Sequence, residues 1–457
     1  MTRVRPATPT VAFIDQYCAH YRGLFHNVRH FEQFTALHLG LLAETRRKSL
    51  PRLGTTVHTD PQALHHFLAQ AEWSVAAVRN QRLALLRQAL GETPFILCLD
   101  ETGDRKKGHT TDYVASQYIG NLHGLANGIV SVNAYGVLGT TTFPLLFRIF
   151  KPASRLKPGD VAKSKPQLAV EIIEELLALG FRFRVVLADS LYGEGGPFIA
   201  ALHRLHLPYV VALRSNHGVW MLPGQRIRQT RWRPFARVFT DGSTEQRFLR
   251  ETVYGARRSV RYYQITTDPL TLPPETTWDL MTNLPGKIEQ TVGNTFGLRT
   301  WIEYGFKHAK DDLGWADYRV TDAASIGRWW ELVMSAYTIV SLQSADFAAV
   351  GHMTPPAAIA AAEPAAAEPA TAEPATAEPA TTEPPPAALL EAHPAWDTGT
   401  GWKHQLNNLR LLLQPYVCTC LLLPWLHLLS PPHVQAVQTG LATLGSVVNT
   451  FRLALPT

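Results

Sequence analysis

The feature that most constrains this chain is a pair of apolar, strand-type runs that each end in an aspartate. The run FILCLD ends at Asp100, and the run FRFRVVLAD ends at Asp189. A helical pattern, QLAVEIIEELLALG, precedes the second run and ends at Gly180, a residue type that commonly follows the last turn of a helix. Strands that alternate with helices in this way predict a mixed α/β sheet. Further strands are expected at GIVSVNAYGVL, TTFPLLFRIF and YVVALR.

The rest of the chain divides into segments of different character. Apolar residues recur at helical spacing before residue 92. The basic residues between them form either a solvated face or a DNA-end-binding surface; they include Arg46, Arg47, Lys48, Arg52, Arg79 and Arg82. A later segment is rich in arginine and aromatic residues, and another repeats the unit AEPAT, which cannot build a packed core. The predicted boundaries are 1–92 for an N-terminal helical DNA-binding domain, 93–215 and 278–350 for the two parts of an α/β core, 216–277 for a β-rich insertion, 351–395 for a low-complexity linker and 396–457 for a C-terminal helical segment that packs back on the body.

Composition narrows the class of protein only moderately. The net charge of +6 suits a polyanionic partner, although many basic proteins never bind nucleic acid. Four cysteines are too few for a disulfide scaffold in a chain of this length. Cys418 and Cys420 are two residues apart, but no second pair of Cys or His residues accompanies them to complete a zinc site. No signal peptide is expected at the N-terminus. The apolar stretch from Tyr416 to Leu429 predicts a buried helix or pair of helices that is too short to span a bilayer. We therefore expect a cytoplasmic protein with no membrane partner.

The two aspartates suggest metal chemistry. Carboxylates at the ends of strands in one sheet can converge on one point, and hard oxygen ligands of this kind bind Mg²⁺ or Mn²⁺. Two such ions about 3.5–4 Å apart stabilise both the attacking and the leaving oxygen of a phosphoryl displacement. Asp100 or Asp189 considered alone is as readily explained as the cap of a turn or helix.

A third acid stands in the stretch FGLRTWIEYGFKHAK. On a helix, Arg299, Glu303, Lys307 and Lys310 lie close to one face, at steps of four, four and three residues. That face would present one carboxylate for a metal and several cations for DNA phosphates. The alternative is ordinary ion pairing on a solvated helix, worth a few tenths of a kcal/mol, roughly, for each pair.

These motifs together resemble the DDE transposases of bacterial insertion sequences, in the IS4-like group and most closely its IS701-type branch. The matching segments are LDETGDRKKG with the Q-Y-x-G of Gln117 to Gly120, then VVLADSLYG, then R-x3-E-x6-K at Arg299, Glu303 and Lys310. The resemblance covers roughly residues 12 to 345. It departs from the IS4-like signature at Phe296, where a tyrosine is expected. A phenylalanine ring can still stack on a base but cannot donate a hydrogen bond to a phosphate.

The resemblance implies an RNase H-like catalytic core with the β-rich insertion between Asp189 and Glu303. It also implies that Asp100, Asp189 and Glu303 hold two Mg²⁺ ions, with Mn²⁺ as a possible substitute. The implied reaction cuts element ends and joins them to target DNA. The implied partners are double-stranded DNA, from the inverted-repeat ends and the target, and a second copy of the chain on that DNA. The implied location is the bacterial nucleoid.

Other residues are candidates for DNA contact. The basic loop that follows Asp100 would face phosphates near a metal site, unless it is only an exposed turn. Aromatic residues of the insertion would stack on an unpaired base, unless they form the insertion's own small core. These candidates are Arg105, Lys106, Lys107, Trp220 and Trp232, with Phe235 weighed beside the two tryptophans. Two other functions remain open on sequence alone: a nuclease of the same fold that only hydrolyses DNA, and a DNA-binding protein of transposase descent that has lost catalysis.

Overall fold

The N-terminal region is helical, as predicted. The computed structural model describes residues 5–120, 124–239, 242–351 and 390–456. Several of the first helices begin at side chains that cap free backbone N–H groups: Asn27, Asp60 and Ser74 each accept a hydrogen bond from the first turn that follows them. The helices are α1 (Ala12–Ala19), α2 (Val28–Leu42), α3 (Leu50–Thr56), α4 (Pro61–Ala69) and α5 (Val75–Leu90).

The core contains a large mixed sheet. Its first six strands are β1 (Phe95–Arg105), β2 (Ala115–Ile119), β3 (Gly124–Leu138), β4 (Thr141–Ile149), β5 (Phe183–Ala188) and β6 (Tyr209–Leu213). Strand β3 pairs antiparallel with β1, β4 and β2, whereas β5 is parallel to both β1 and β6. An antiparallel meander followed by two parallel strands is the RNase H-like arrangement, so the predicted fold class is confirmed.

Strand β1 is longer than the sequence indicated. We expected it to end at Asp100, but it continues to Arg105. The polar residues that follow Asp100 show no strand pattern of their own. They are extended because β3 pairs with them, from Glu101 opposite Val132 to Arg105 opposite Gly128. Asp100 therefore lies in the middle of a strand.

The predicted insertion is β-rich and continues the core sheet. Its strands are β7 (Ile227–Gln229), β8 (Arg233–Val238), β9 (Thr244–Tyr254) and β10 (Arg261–Thr266), and the chain returns to the core through β11 (Trp278–Thr282). Strand β11 pairs antiparallel with both β10 and β6. The sheet thus runs from β2 through the core strands into the insertion without a break, in the order β2-β3-β1-β5-β6-β11-β10-β9-β7.

Helices cover the sheet and converge on one buried helix. They are α6 (Lys165–Ala178), α7 (Ser190–Gly193), α8 (Gly196–Arg204), α9 (Val292–Gly297), α10 (Thr300–Lys307), α11 (Ala323–Leu342) and α12 (Ala345–Gly351). Helix α11 is buried along most of its length and contacts α2, α5 and β4. The N-terminal helices and the catalytic core consequently share one hydrophobic core.

Two basic residues that we placed on a solvated or DNA-binding face are buried instead. Arg82 is fully buried and forms an ion pair with Glu331 of α11. Lys48 is also buried, and its Nζ donates to the backbone oxygens of Gly40 and Ala43 near the end of α2. These cations satisfy groups inside the protein, so the sequence-based assignment of both to the surface is wrong.

The C-terminal segment packs on the body only in part. The predicted linker 351–395 lies mostly outside the described residues. Beyond it, the helix Trp402–Leu422 packs through its first half, but the Tyr416–Leu429 stretch, expected to be buried, is largely exposed. By length and composition alone, the helical stretch Trp402–Leu428 could cross a membrane, which is weak evidence for a membrane protein. A short turn leads into a last helix, Pro431–Val448.

Candidate active site

Asp100 and Asp189 are brought together by strand register. Leu99 of β1 pairs with Ala188 of β5, and Asp100 and Asp189 directly follow these two residues in the sequence. Neighbouring strands lie about 4.8 Å apart, so the two carboxylates occupy adjacent positions. Asp189 also caps α7, because its Oδ1 accepts a hydrogen bond from the Leu191 N–H at 3.0 Å. The capping explanation for Asp189 is therefore correct and is compatible with a place in the site.

Arg299 joins Asp100 to Glu303. Its Nη1 donates to Asp100 Oδ2 at 2.8 Å, and its Nη2 donates to Glu303 Oε1 at 2.9 Å. The guanidinium is mostly buried, whereas the Glu303 side chain is 54 % exposed. The i,i+4 pair expected on this helix is present, and the same arginine crosses from α10 to the middle of β1. All three predicted acids thus lie around one small region.

The surroundings of the two aspartates disfavour the charged form of each carboxyl group. Burial raises the pKa of Asp100 to about 8, against the opposing effect of Arg299 and with a further contribution from the charge on Asp189. Burial, followed by the charge on Glu101, raises the pKa of Asp189. Desolvated carboxylates held next to each other favour protonation or a cation. The site is therefore suited to additional positive charge.

Glu101 is a residue of this region that the sequence analysis missed. Its Oε1 accepts a hydrogen bond from Lys165 Nζ at 2.9 Å, and its Oε2 accepts one from the Tyr192 hydroxyl at 3.3 Å. Adjacent residues of a strand point to opposite faces, so Glu101 faces α6 while Asp100 faces α10. The signal was its position next to Asp100 in the LDET motif, which we analysed for the aspartate only.

The carboxylates of Asp100, Asp189 and Glu303 could bind a divalent metal once the Arg299 guanidinium moves away from Asp100 and Glu303. Among the described residues, no three His, Cys, Asp or Glu side chains lie close enough as they stand to form a metal site. The Arg299 guanidinium bridges Asp100 and Glu303, so it stands where a cation would bind the same two carboxylates. Oxygen ligands from Asp100, Asp189 and Glu303 match the preference of Mg²⁺ and Mn²⁺.

Lys310 is paired within the protein and is mostly buried. Its Nζ donates to the Gly103 oxygen at 2.9 Å and lies 3.5 Å from Asp104 Oδ1. The chain forms a π-helical turn over His308–Asp312, which holds one more residue than an α-helical turn and rotates the positions that follow Lys307. We expected Lys310 to present its ammonium to DNA; in this structure the ammonium is paired with β1 instead, whereas Lys307 is exposed.

Phe296 is also turned inward. It is 6 % exposed and packs edge-on against Trp278, with 5.4 Å between the ring centroids. The ring is consequently not presented to a DNA base, contrary to our expectation. The phenylalanine at the position of the signature tyrosine thus contributes to the packing between α9 and the core strand β11.

The other predicted DNA contacts differ in exposure. Arg105 and Lys107 are exposed at the end of β1 and just beyond it, but Lys106 lies over the Tyr318 ring, with Nζ 3.6 Å from the centroid. Burial lowers the pKa of Lys106. Two of the three cations are therefore free to meet phosphates without rearrangement.

Some aromatic residues of the insertion are exposed and could stack on a base, whereas others are buried. Trp220 is 76 % exposed and remains a candidate for stacking on a base. Trp232 is half-buried beneath the Arg250 guanidinium, 4.4 Å from its ring centroid. Phe235 is buried against Gly293 of α9 and belongs to the common hydrophobic core of the protein.

Comparisons with known proteins identify the family of this chain. Residues 21–267 match the family described as DDE superfamily endonuclease, a range that contains Asp100 and Asp189 and stops before Glu303. The chain is 49 % identical over 347 residues to the probable transposase for insertion sequence element IS701 from Microchaete diplosiphon, which covers 75 % of this chain and 91 % of the relative. The chain belongs to the DDE superfamily of endonucleases, as an IS701-like transposase.

Proposed function

We propose that this protein cuts the ends of its insertion sequence and joins them to target DNA, with Asp100, Asp189 and Glu303 as metal ligands. The observation that carries the proposal is the register of β1 and β5, which sets Asp100 beside Asp189, together with the Arg299 fork that connects Asp100 to Glu303. The ligands suit two Mg²⁺ ions, for which Mn²⁺ is a possible substitute.

Each acid has a distinct part in this proposal. When bound, the metal ions polarise the scissile phosphate and supply a nucleophilic oxygen at neutral pH. Asp100 and Asp189 are held by the sheet and provide a rigid base for the site. Glu303 is half-exposed on a helix and completes it from the side that DNA approaches. Arg299 is freed from the carboxylates as positive charge arrives, and its guanidinium is then available to a phosphate.

Exposed cations around the acids would hold the DNA backbone. Arg105 and Lys107 lie beyond the end of β1, and Lys307 lies one helical turn after Glu303. Cations at such positions neutralise phosphates and orient the strand without reading its sequence. Trp220 would stack on an unpaired base. Because two element ends must be held for joining, we expect a dimer on double-stranded DNA, at the bacterial nucleoid.

The proposal is tested with purified protein, DNA that carries the element ends, a target plasmid and Mg²⁺. Asp100→Asn, Asp189→Asn and Glu303→Gln are each expected to reduce both cleavage and joining on the order of 10³-fold or more, because each removes a ligand charge. Asp311→Asn is the matched control, since Asp311 is an exposed acid eight residues after Glu303 and is expected to leave the rates unchanged.

The same assay separates the two other functions. Cleavage without any joined product would identify a nuclease that only hydrolyses DNA. Binding of the end DNA without any cleavage, equal in the wild type and in Asp100→Asn, would identify a DNA-binding protein that has lost catalysis.

A further inference from the structure

The C-terminal part of the chain forms an apolar hairpin that extends beyond the body. We call the helices Trp402–Leu422 and Pro431–Val448, with the turn Leu423–Leu428 between them, the C-terminal hairpin. No Asp, Glu, Lys or Arg occurs from Leu411 to Val448. Large apolar side chains are exposed around its turn and along both helices; they include Leu421, Leu422, Trp425, Leu428, Leu429 and Leu444.

The base of the C-terminal hairpin is fixed to the body at both ends. At its start, Trp402 is buried on Tyr337 of α11, with 4.1 Å between the ring centroids. After its last helix, Phe451 packs edge-on against Phe13 of α1, with 5.5 Å between the centroids. The Asn449 side chain also accepts a hydrogen bond from the backbone of α1 at 2.9 Å. The exposed apolar surface is therefore held in place.

We propose that the C-terminal hairpin pairs with the same hairpin of a second copy of this chain, so that the protein is a dimer before it meets DNA. A surface without Lys or Arg lacks the fixed positive charges on which affinity for DNA phosphates depends, which disfavours DNA as its partner. A charged surface of another protein would lose its hydration against the hairpin and find no ion-pair partners there, which is unfavourable. Contiguous exposed apolar surface of this kind marks an interface.

The distribution of exposed apolar residues indicates a two-fold pairing. Elsewhere in the described residues, large exposed hydrophobic side chains occur singly, as at Leu179 and Leu270, or in small groups. These groups are Tyr118 with Leu125 on β2 and β3, and Trp220, Leu222 and Ile227 in the arginine-rich insertion. The largest exposed apolar surface on a second copy is thus again its C-terminal hairpin, which can pair with the hairpin of the first. Pairing of one patch with the identical patch closes at two copies, whereas pairing of two different patches would form a ring or a filament.

A lipid surface fits this hairpin less well. Helices that lie on membranes place Lys or Arg beside the apolar face, where they hold anionic headgroups. The C-terminal hairpin has none between Leu411 and Val448, and Pro415 and Pro424 interrupt its apolar run. A second copy of the chain requires neither basic residues nor a continuous span.

The proposal is tested on the full-length protein without DNA or detergent. Light scattering after gel filtration should give twice the 50.7 kDa mass of the chain. Trp425→Glu and Leu428→Glu, at side chains 63 % and 65 % exposed, should raise the dimer dissociation constant about 100-fold or more, because each buries a charge without a partner. Leu270→Glu, at a side chain 93 % exposed outside the hairpin, is the matched control and should leave the mass unchanged.

Several outcomes would overturn the inference. A wild-type protein that is monomeric at tens of micromolar, roughly, would do so, as would glutamate variants that remain dimeric with unchanged affinity. Growth beyond the dimer with concentration would exclude two-fold closure. Flotation of the wild type with phosphatidylcholine and phosphatidylglycerol vesicles, lost in Leu428→Glu, would assign the hairpin to a membrane instead. Far-UV circular dichroism of each variant shows whether the fold is retained. The assay uses neither DNA nor catalysis, so its result is independent of the proposed reaction.

Discussion

Arg299 acts as an internal counter-ion in the described site. Its guanidinium is hydrogen-bonded to Asp100 and Glu303, the same carboxylates that we assign to a metal. A cation that binds there must compete with this arginine for the oxygen atoms. The charge balance of the site is therefore adjusted by one residue that is not itself a ligand.

Replacing Arg299 should separate metal affinity from turnover. Arg299→Gln removes the competing charge, so we expect Mn²⁺ to bind about 5- to 10-fold more tightly, measured by calorimetric titration without DNA. Cleavage should nevertheless become slower, because a guanidinium that can contact phosphate is lost. Lys307→Gln removes a nearby exposed charge and serves as the control. Weaker Mn²⁺ binding in Arg299→Gln would contradict the competition.

Lys310 and Lys307 should behave differently although they are three residues apart. Lys310 neutralises Asp104, a buried carboxylate whose Oδ2 has no hydrogen-bond partner among the described residues. Lys310→Met should therefore lower the free energy of unfolding by about 2 kcal/mol or more, measured by urea denaturation, and leave the salt dependence of DNA binding unchanged. Lys307→Met should do the reverse and reduce the slope of log K against log salt by about 0.9. A reduced slope in Lys310→Met would assign that lysine to a phosphate.

At the level of elements, the sequence predicted what local patterns encode. The apolar run before Asp189, the amphipathic helix α6 and the alternation of strands with helices are all present. The extension of β1 beyond Asp100 could not be predicted, because its polar residues become extended only through pairing with β3. The inward turn of Lys310 follows from the π-helical turn His308–Asp312, and the burial of Phe296 follows from its contact with Trp278. Both depend on packing between distant parts of the chain.

Helix α10 lies against the sheet at a glycine. A Cβ atom on Gly305 would stand 2.8 Å from the buried Tyr135 ring of β3, closer than real Cβ contacts allow. Gly305→Ala should push α10, and Glu303 with it, away from β1. We expect a loss of about 1 kcal/mol or more in unfolding free energy, despite the better helix propensity of alanine, and at least about 10-fold slower cleavage.

The matched control is Gly327→Ala in α11. A Cβ there meets nothing within 4 Å, so the substitution should stabilise the protein by about 0.5–1 kcal/mol and leave cleavage unchanged. Equal effects of the two substitutions would show that the close approach of α10 to β3 affects neither the stability of the protein nor its cleavage rate.

For the whole molecule, the central element is α11 with its buried ion pair. Arg82 Nε donates to Glu331 Oε1 at 2.6 Å, and the same guanidinium donates to the backbone oxygens of Pro144 and Leu145 in β4. One side chain of the N-terminal helices thus connects α5, α11 and the edge of the sheet. The segment we predicted as a separate domain is tied to the core at this point.

Breaking this pair should destabilise the molecule as a unit. Arg82→Met leaves Glu331 and two carbonyl oxygens without partners, so we expect a loss of about 3–5 kcal/mol in a single cooperative urea transition. The double variant Arg82→Met/Glu331→Met should recover part of that loss. Arg79→Met, on the same helix in a half-exposed pair with Glu175, should cost about 1 kcal/mol or less. Two separate transitions in the wild type would show that the N-terminal helices unfold independently.

The hydrogen bonds between β6 and β11 make the insertion and the catalytic strands one continuous surface. In the proposed function, DNA bound by the insertion would therefore lie at a constant distance from Asp100 and Asp189. We therefore expect the distance between the bound DNA sequence and the cut to be set by the number of strands between the insertion and the two aspartates. Lengthening a loop of the insertion would leave this distance unchanged. Disrupting β11 would separate the insertion from the core strands, so the cuts would occur at variable positions.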